Sequence, residues 1–199
     1  MTANSSASQS ARSTDATAMQ THARFDSAHD DGSSRRFQTL ADRVEIEALR
    51  ADFTDAVMMR DYDRVASLFT ADGAWRMPAI PVDLVGHDAI SAWGAQVPEV
   101  VQYLVQTAHP GTILLDGNTA SGRVFIHELA SARDGRSGEN YAIYHDRYQR
   151  TLDGWRFTER VYEIRYLDTT PLAGSPPNTS HPIEQPVAPA GHDASAGGR

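Results

Sequence analysis

Residues 112–168 read TILLDGNTASGRVFIHELASARDGRSGENYAIYHDRYQRTLDGWRFTERVYEIRYLD, and this stretch decides the fold. Asp116-Gly117, Asp134-Gly135 and Asp153-Gly154 divide it into runs rich in β-branched and aromatic residues. Asp-Gly between extended runs is a strong hairpin signal, because the tight turn needs a positive φ that glycine adopts without strain. The spacing predicts four strands, Thr112–Leu115, Thr119–Ala132, Asn140–Thr151 and Trp155–Leu167, joined as an antiparallel meander.

Upstream, the apolar period lengthens. Leu40, Val44, Leu49, Phe53 and Val57 recur at helical spacing and predict a helix over Phe37–Arg60. Asp61 is placed to cap a second helix, Tyr62–Phe69, with Val65, Leu68 and Phe69 as its apolar face. Ala74–Ile80 reads as extended, and Pro78 and Pro81 put it at a sheet edge. Gly86-His87-Asp88 opens a helical stretch through Ile90 and Trp93, and Pro98 restarts another over Glu99–Gln106. Helices first and a meander last is an α+β pattern. A curved antiparallel sheet wrapped round the N-terminal helix makes a cone-shaped α+β barrel, whose mouth is a natural small-molecule pocket.

Both ends of the chain have a different composition. Residues 1–36 hold eight serines and a single aromatic residue, Phe25, while residues 169–199 hold six of the ten prolines and no aromatic residue. Such stretches bury too little apolar surface to offset their ordering entropy. The expected organisation is therefore a disordered tail over 1–36, one domain over 37–174 and a disordered Pro/Gly-rich tail over 175–199.

Composition excludes several chemistries. The absence of cysteine removes thiol nucleophiles, thiolate metal sites and disulfides. All eighteen basic residues are arginine, which removes Schiff-base catalysis and argues against a P-loop. A net charge of -8 disfavours a nucleic-acid partner. No 18-residue apolar run exists to span a membrane, and residues 1–20 have no apolar signal core, so a cytoplasmic location is expected. His87, His109, His127 and His145 are too scattered to suggest a metal site.

Several residues in the domain carry possible chemistry. His109 opens the first meander strand; it reads either as a helix C-terminal histidine or as a general base at the pocket mouth. Asp52 and Asp55 lie three apart on the first helix, and Asp55 is one turn before Met58. Tyr144 and Tyr148 share a strand face. His127 and Glu128 must face opposite ways, and an inward Glu128 would need partners, for which Arg160 and Arg165 are candidates.

The run Leu49–Trp75, LRADFTDAVMMRDYDRVASLFTADGAW, resembles the opening helices of SnoaL-like proteins of the nuclear transport factor two-like superfamily. Thr107-Ala108-His109, the Asp116-Gly117 hairpin, YHDRY at 144–148, DGWRF at 153–157 and TPLAG at 170–174 continue the likeness. Within the superfamily the chain is most similar to the scytalone dehydratase, bile-acid dehydratase and hexachlorocyclohexane dehydrochlorinase group. That resemblance implies a lyase without cofactor or metal, in which a histidine oriented by an aspartate takes a substrate proton. His109 matches the histidine, Arg160 an arginine on the final strand, Glu128 an aspartate of the bile-acid enzyme and Tyr144 a strand tyrosine. The dyad aspartate is replaced by Met58, a tyrosine position holds Phe53, and methionine neither orients nor charges an imidazole. Asp55, one turn away, is the candidate substitute. The site implied is His109, Asp55 and Arg160 as catalytic residues, with Phe53, Met58, Trp75, Glu128 and Tyr144 against a small hydrophobic or aromatic ligand. The alternative is a binding or assembly module without turnover. The resemblance also implies a homo-oligomer, dimer or trimer, paired through the outer sheet face, where one of Val124, Phe125 and Ile126 must point.

Overall fold

The computed structural model describes residues 7–174, with side chains from residue 32 onward. The elements are α1 (Ala7–Met59), α2 (Tyr62–Ser67), β1 (Phe69–Met77), β2 (Val82–Val85), α3 (His87–Val100), β3 (Val101–Asp116), β4 (Thr119–Ala132), β5 (Ser137–Thr151) and β6 (Gly154–Asp168). Six strands form one curved, unclosed sheet in the order β2-β1-β6-β5-β4-β3. Only β1 and β6 run parallel; every other pair is antiparallel. The meander turns on Gly117, Gly135 and Gly154, all at positive φ, as the Asp-Gly pairs require.

Three local expectations need correction. The run Glu99–Gln106 is not a second helix: α3 passes through Pro98 to Val100, and Val101 onward is strand. The β-branched and aromatic residues Val101, Tyr103 and Val105 pair with β4 and override the restart signal of the proline. Nor is β1 at the edge, because β2 covers it and Pro78 and Pro81 occupy the turn between the two. Leu40 and Val44 belong to no core; the buried face of α1 is Ile46, Leu49, Phe53, Ala56 and Val57.

The helix also starts earlier than the expected Phe37. Its backbone is helical from Ala7, a stretch without proline and with one glycine, Gly32, where a flexible tail was expected. Every side chain from 32 to 41 is exposed, and burial begins at Asp42. The tail expected over 175–199 lies outside the described residues.

The core sits between α1 and the concave sheet face. Phe53 is its centre, edge-on to Phe69, Trp75, Tyr144 and Phe157. Truncating a side chain so enclosed costs about 3–5 kcal/mol. The end of α1 also covers the free edge of β3, whose backbone groups would otherwise invite a foreign strand. Arg50 Nη2 donates to the Thr112 carbonyl at 2.9 Å, Arg60 Nη2 to the Gln102 carbonyl at 2.6 Å, and Met58 Sδ accepts the Gln106 N–H at 3.0 Å. Gly94 lets α3 reach α2, since an added Cβ would run into Tyr62.

Candidate functional site

Strand alternation and the hairpin registers place two polar clusters on the concave face. The first is the row Gln106, Glu128 and Asn140, paired in register across β3, β4 and β5. Gln106 Nε2 donates to one Glu128 carboxylate oxygen at 2.8 Å, and Asn140 Nδ2 reaches the other at 3.4 Å. Tyr162 on β6 donates its hydroxyl to Asn140 Oδ1 at 2.6 Å. Tyr144 lies beside Tyr162, with ring centroids 4.9 Å apart.

Among the described residues, Glu128 therefore faces two amides and two phenols, but no cation. Burial pushes its carboxyl above the usual range, and the amide hydrogen bonds only partly oppose this. The phenols respond in kind. Burial and the nearby Glu128 charge raise Tyr162, and burial raises Tyr144 against the pull of Arg160, so both stay protonated donors. Glu128 remains half-buried, as do Met58, Leu104, Ala108 and Ala130. The small residues Ala108 and Ala130 flank it on β3 and β4.

The second cluster lies further into the cone. Arg160 donates Nε and Nη2 to the two oxygens of Asp146 at 2.8 and 3.1 Å. Tyr148 donates to Asp146 at 2.7 Å and accepts from Arg50 Nε at 2.7 Å. The Arg160 guanidinium is packed on Phe53, Tyr144 and Phe157 at 4.2, 4.0 and 4.3 Å from their centroids. Arg50, Asp146 and Arg160 are all buried, and no ordinary soluble core holds such charges unpaired. Gly122 makes room for Arg50, whose Nη2 occupies the place a Cβ would take.

Three buried polar atoms remain without a hydrogen-bond partner near these clusters: Trp75 Nε1, Arg160 Nη1 and Gln106 Oε1. Trp75 and Arg160 are register partners on β1 and β6. Buried groups left open in this way are uncommon and mark places where water or a ligand supplies the missing bond.

The structure brings together Glu128, Tyr144, Arg160, Phe53, Trp75 and Met58 on the inside of the cone. It does not bring His109 and Asp55 together. His109 is exposed in β3, next to the irregularity at Pro110-Gly111, and its ring makes no hydrogen bond among the described residues. Asp55 points away from the sheet and pairs with Arg64. Arg160 is turned inward as expected, but its carboxylate is Asp146 and not Glu128. Arg165 faces outward and pairs with Glu163. His127, on the outer side of β4, stacks on Tyr141 and approaches Glu139 at 3.4 Å.

Five residues of these clusters, Gln106, Asn140, Tyr162, Asp146 and Arg50, were not singled out from the sequence. The hairpin around Asp134-Gly135 sets Asn140 opposite Glu128 and could have supplied that one. Gln106 was hidden by the helix assigned to its segment. The Asp146–Arg160 facing depends on a register shift between Arg147 and Tyr148, which alternation does not reveal. A separate groove of about 1020 Å³ opens on the outer side of the sheet, over Ser121, Arg147 and Glu159, away from Glu128. No group of His, Asp and Glu among the described residues is arranged to hold a metal ion, and no described helix is long and apolar enough to cross a membrane.

Comparison with known proteins agrees with this architecture. The model of the SnoaL-like domain matches residues 38–161. An uncharacterized protein of Mycobacterium tuberculosis is 28% identical over 134 residues, covering 61% of this chain and 84% of that one. A candidate aromatic ring hydroxylase from Novosphingobium aromaticivorans superposes with a TM-score of 0.61 at 25% identity, over 66% of this chain and 94% of its own. A hexachlorocyclohexane dehydrochlorinase from Novosphingobium barchaimii gives 0.62 at 22% identity, over 70% and 95%. A candidate scytalone dehydratase from Novosphingobium aromaticivorans gives 0.60 at 17% identity, over 72% and 97%. The last two likenesses are of fold.

Proposed function

Starting from a chain that belongs to the SnoaL-like domain family, we propose a lyase or isomerase that needs no cofactor and acts on a small hydrophobic ring compound held in the cone. Glu128, in place of His109, takes the substrate proton. The observation that carries this reading is the Glu128 carboxylate: inward, half-buried, clamped by two amides and raised by burial with no cation to hold it charged. A carboxylate so placed is a stronger base than one in water. Tyr144 stands beside it as a neutral phenol able to donate to an oxygen that gains charge or leaves, while Tyr162 gives its own proton to Asn140 and fixes that amide. The substrate's carbon–hydrogen bond breaks with its proton passing to Glu128, and the freed pair forms the new double bond while the carbon–leaving-group bond breaks and the leaving group departs with its electrons, or, in isomerisation, while the carbonyl π pair moves onto the enolic oxygen.

A second reading, binding without turnover, is favoured by Met58. Its thioether occupies the orienting position and accepts the Gln106 N–H, so no dyad exists for His109.

The test begins with a thermal-shift screen of cyclic ketones, cyclic alcohols and chlorinated rings, followed by turnover of the compounds that bind. Glu128→Gln keeps the shape and removes the base, so turnover falls by about a hundred- to ten-thousand-fold while binding survives. Wild-type turnover rises with pH as Glu128 loses its proton, since only the ionised form is a base. His109→Ala leaves turnover unchanged. Full activity in Glu128→Gln would overturn the assignment, and binding without conversion by the wild type would select the second reading.

A further inference from the structure

Two amides touch the Glu128 carboxylate, and they are held differently. Gln106 gives Nε2 to it at 2.8 Å, while its Oε1 is buried and has no hydrogen-bond partner among the described residues. Only the carboxylate therefore decides which way that amide faces. Asn140 gives Nδ2 at 3.4 Å, and its Oδ1 accepts the Tyr162 hydroxyl at 2.6 Å. Asn140 and Tyr162 are 8% and 5% exposed, so water does not compete for either group. If the Asn140 amide reversed, its N–H would meet the phenol oxygen, and the Tyr162 O–H would be left buried without an acceptor. Oδ1 would also face a charged carboxylate, which only accepts. Burial and the Glu128 charge keep Tyr162 protonated, so the phenol fixes the direction of the amide from behind.

We propose that Tyr162 is a positioning residue for the base: acting through Asn140, it keeps an N–H aimed at Glu128 in both protonation states of the carboxyl. This rests on Glu128 being the base of the reaction above. The consequence is chemical. A charged carboxylate gains from that N–H. A neutral carboxyl needs an acceptor for its own proton, and an amide locked in this direction offers none. Gln106 is able to turn its open Oε1 towards the new O–H, whereas Asn140 is tied to Tyr162. The locked donor therefore opposes the upward shift that burial imposes on Glu128. It also favours release of the proton taken from substrate, which returns the carboxylate to its working form.

The test reads Glu128 directly, without substrate. In the full chain the glutamate carboxyl carbons are isotope-labelled, the Glu128 NMR signal is identified by its loss in Glu128→Gln, and its titration midpoint is measured. Tyr162→Phe keeps the ring and removes the O–H. Its Glu128 midpoint should lie above that of wild type, and the Asn140 side-chain N–H should exchange with solvent about tenfold faster, as the loss of one buried hydrogen bond permits. Asn140→Leu should raise the midpoint at least as far. The double variant should go no further than Asn140→Leu alone, because a residue acting through another then has nothing to act on. Tyr141→Phe, on the outer face of β5, should change neither reading. An unmoved or lowered midpoint in Tyr162→Phe, or shifts that add in the double variant, would overturn the proposal. Should Asn140→Leu fail to fold, unchanged exchange of the Asn140 amide in Tyr162→Phe would overturn it alone. No turnover is involved, so failure here is distinct from failure of the lyase reading, which the activity of Glu128→Gln decides.

Discussion

The two polar clusters inside the cone differ in one respect, and the difference separates support from chemistry. Deep in the cone, Asp146 is held by both arms of Arg160 and by Tyr148, with Arg50 behind. Every charge there has an opposite charge. Towards the open side, Glu128 has amides and phenols around it and no cation. The first arrangement lets charges be buried; the second leaves a carboxylate unstable in its charged form. The second arrangement destabilises the fold rather than supporting it, and that is why the proposed base is Glu128.

The sharpest way to break this contrast is at Asp146. Asp146→Ala leaves Arg160 and Arg50 buried without a counter-charge, and removing one partner of such a pair costs about 3–5 kcal/mol. Urea denaturation should show that loss, a large share of the stability of a domain this size. A change below about 1 kcal/mol would mean that the network is no anchor.

Glu128→Gln should move stability in the other direction. The folded pKa of Glu128 is raised above its unfolded value. Between those two values the folded state binds more protons, so stability falls as pH rises through that window. The amide has no proton to lose, so the variant should melt higher than wild type at neutral pH, with the difference vanishing in acid. Equal melting temperatures at both pH values would remove the strain on which the assignment rests.

Gln106→Leu sharpens the same point by a smaller step. It removes the 2.8 Å donor to the Glu128 carboxylate, a bond to the charged form. The pKa of Glu128 should rise further, and the pH profile of turnover should shift to higher pH with it. A kcat that drops with no shift in the profile would make Gln106 a packing residue only.

The meander was legible because three Asp-Gly turns fix local geometry, and positive φ at Gly117, Gly135 and Gly154 is a local requirement. Alternation set Tyr144 on the face of Tyr148 and Glu128 on the face opposite His127, but left open which of the last two points inward; the sheet's packing on α1 decides for Glu128. What failed was non-local. The strand identity of Gln106 is imposed by pairing with β4 and by α1 lying over its edge, against the helix signals before it. The Asp146–Arg160 pair depends on a register shift, and His109 turns outward beside the Pro110-Gly111 irregularity. Family position located His109 and Met58 in the chain, but which way a side chain points was decided by neighbours far away in sequence.

The smallest effect is expected at Asp55, and it tests the oldest assumption about this site. If Asp55 oriented a catalytic histidine, its loss would be severe. In the structure its carboxylate is 57% exposed and paired with Arg64, which is itself 37% exposed and also reaches Asp61 at 3.5 Å. Exposed pairs of this kind contribute about 0–1 kcal/mol, because water screens them and two long side chains must be held still. Arg64 keeps Asp61 when Asp55 is neutralised, so even that small contribution is partly retained. Asp55→Asn should therefore shift the melting temperature by a degree or two at most, about what half a kcal/mol produces in a domain of this size. Turnover of a compound found by the thermal-shift screen should stay within about twofold of wild type, since no step passes through a side chain outside the cone. A steep loss of turnover with an unchanged melting temperature would sink this reading. It would mean that α1 rotates in the liganded state to bring Asp55 inward, and the base would then return to His109.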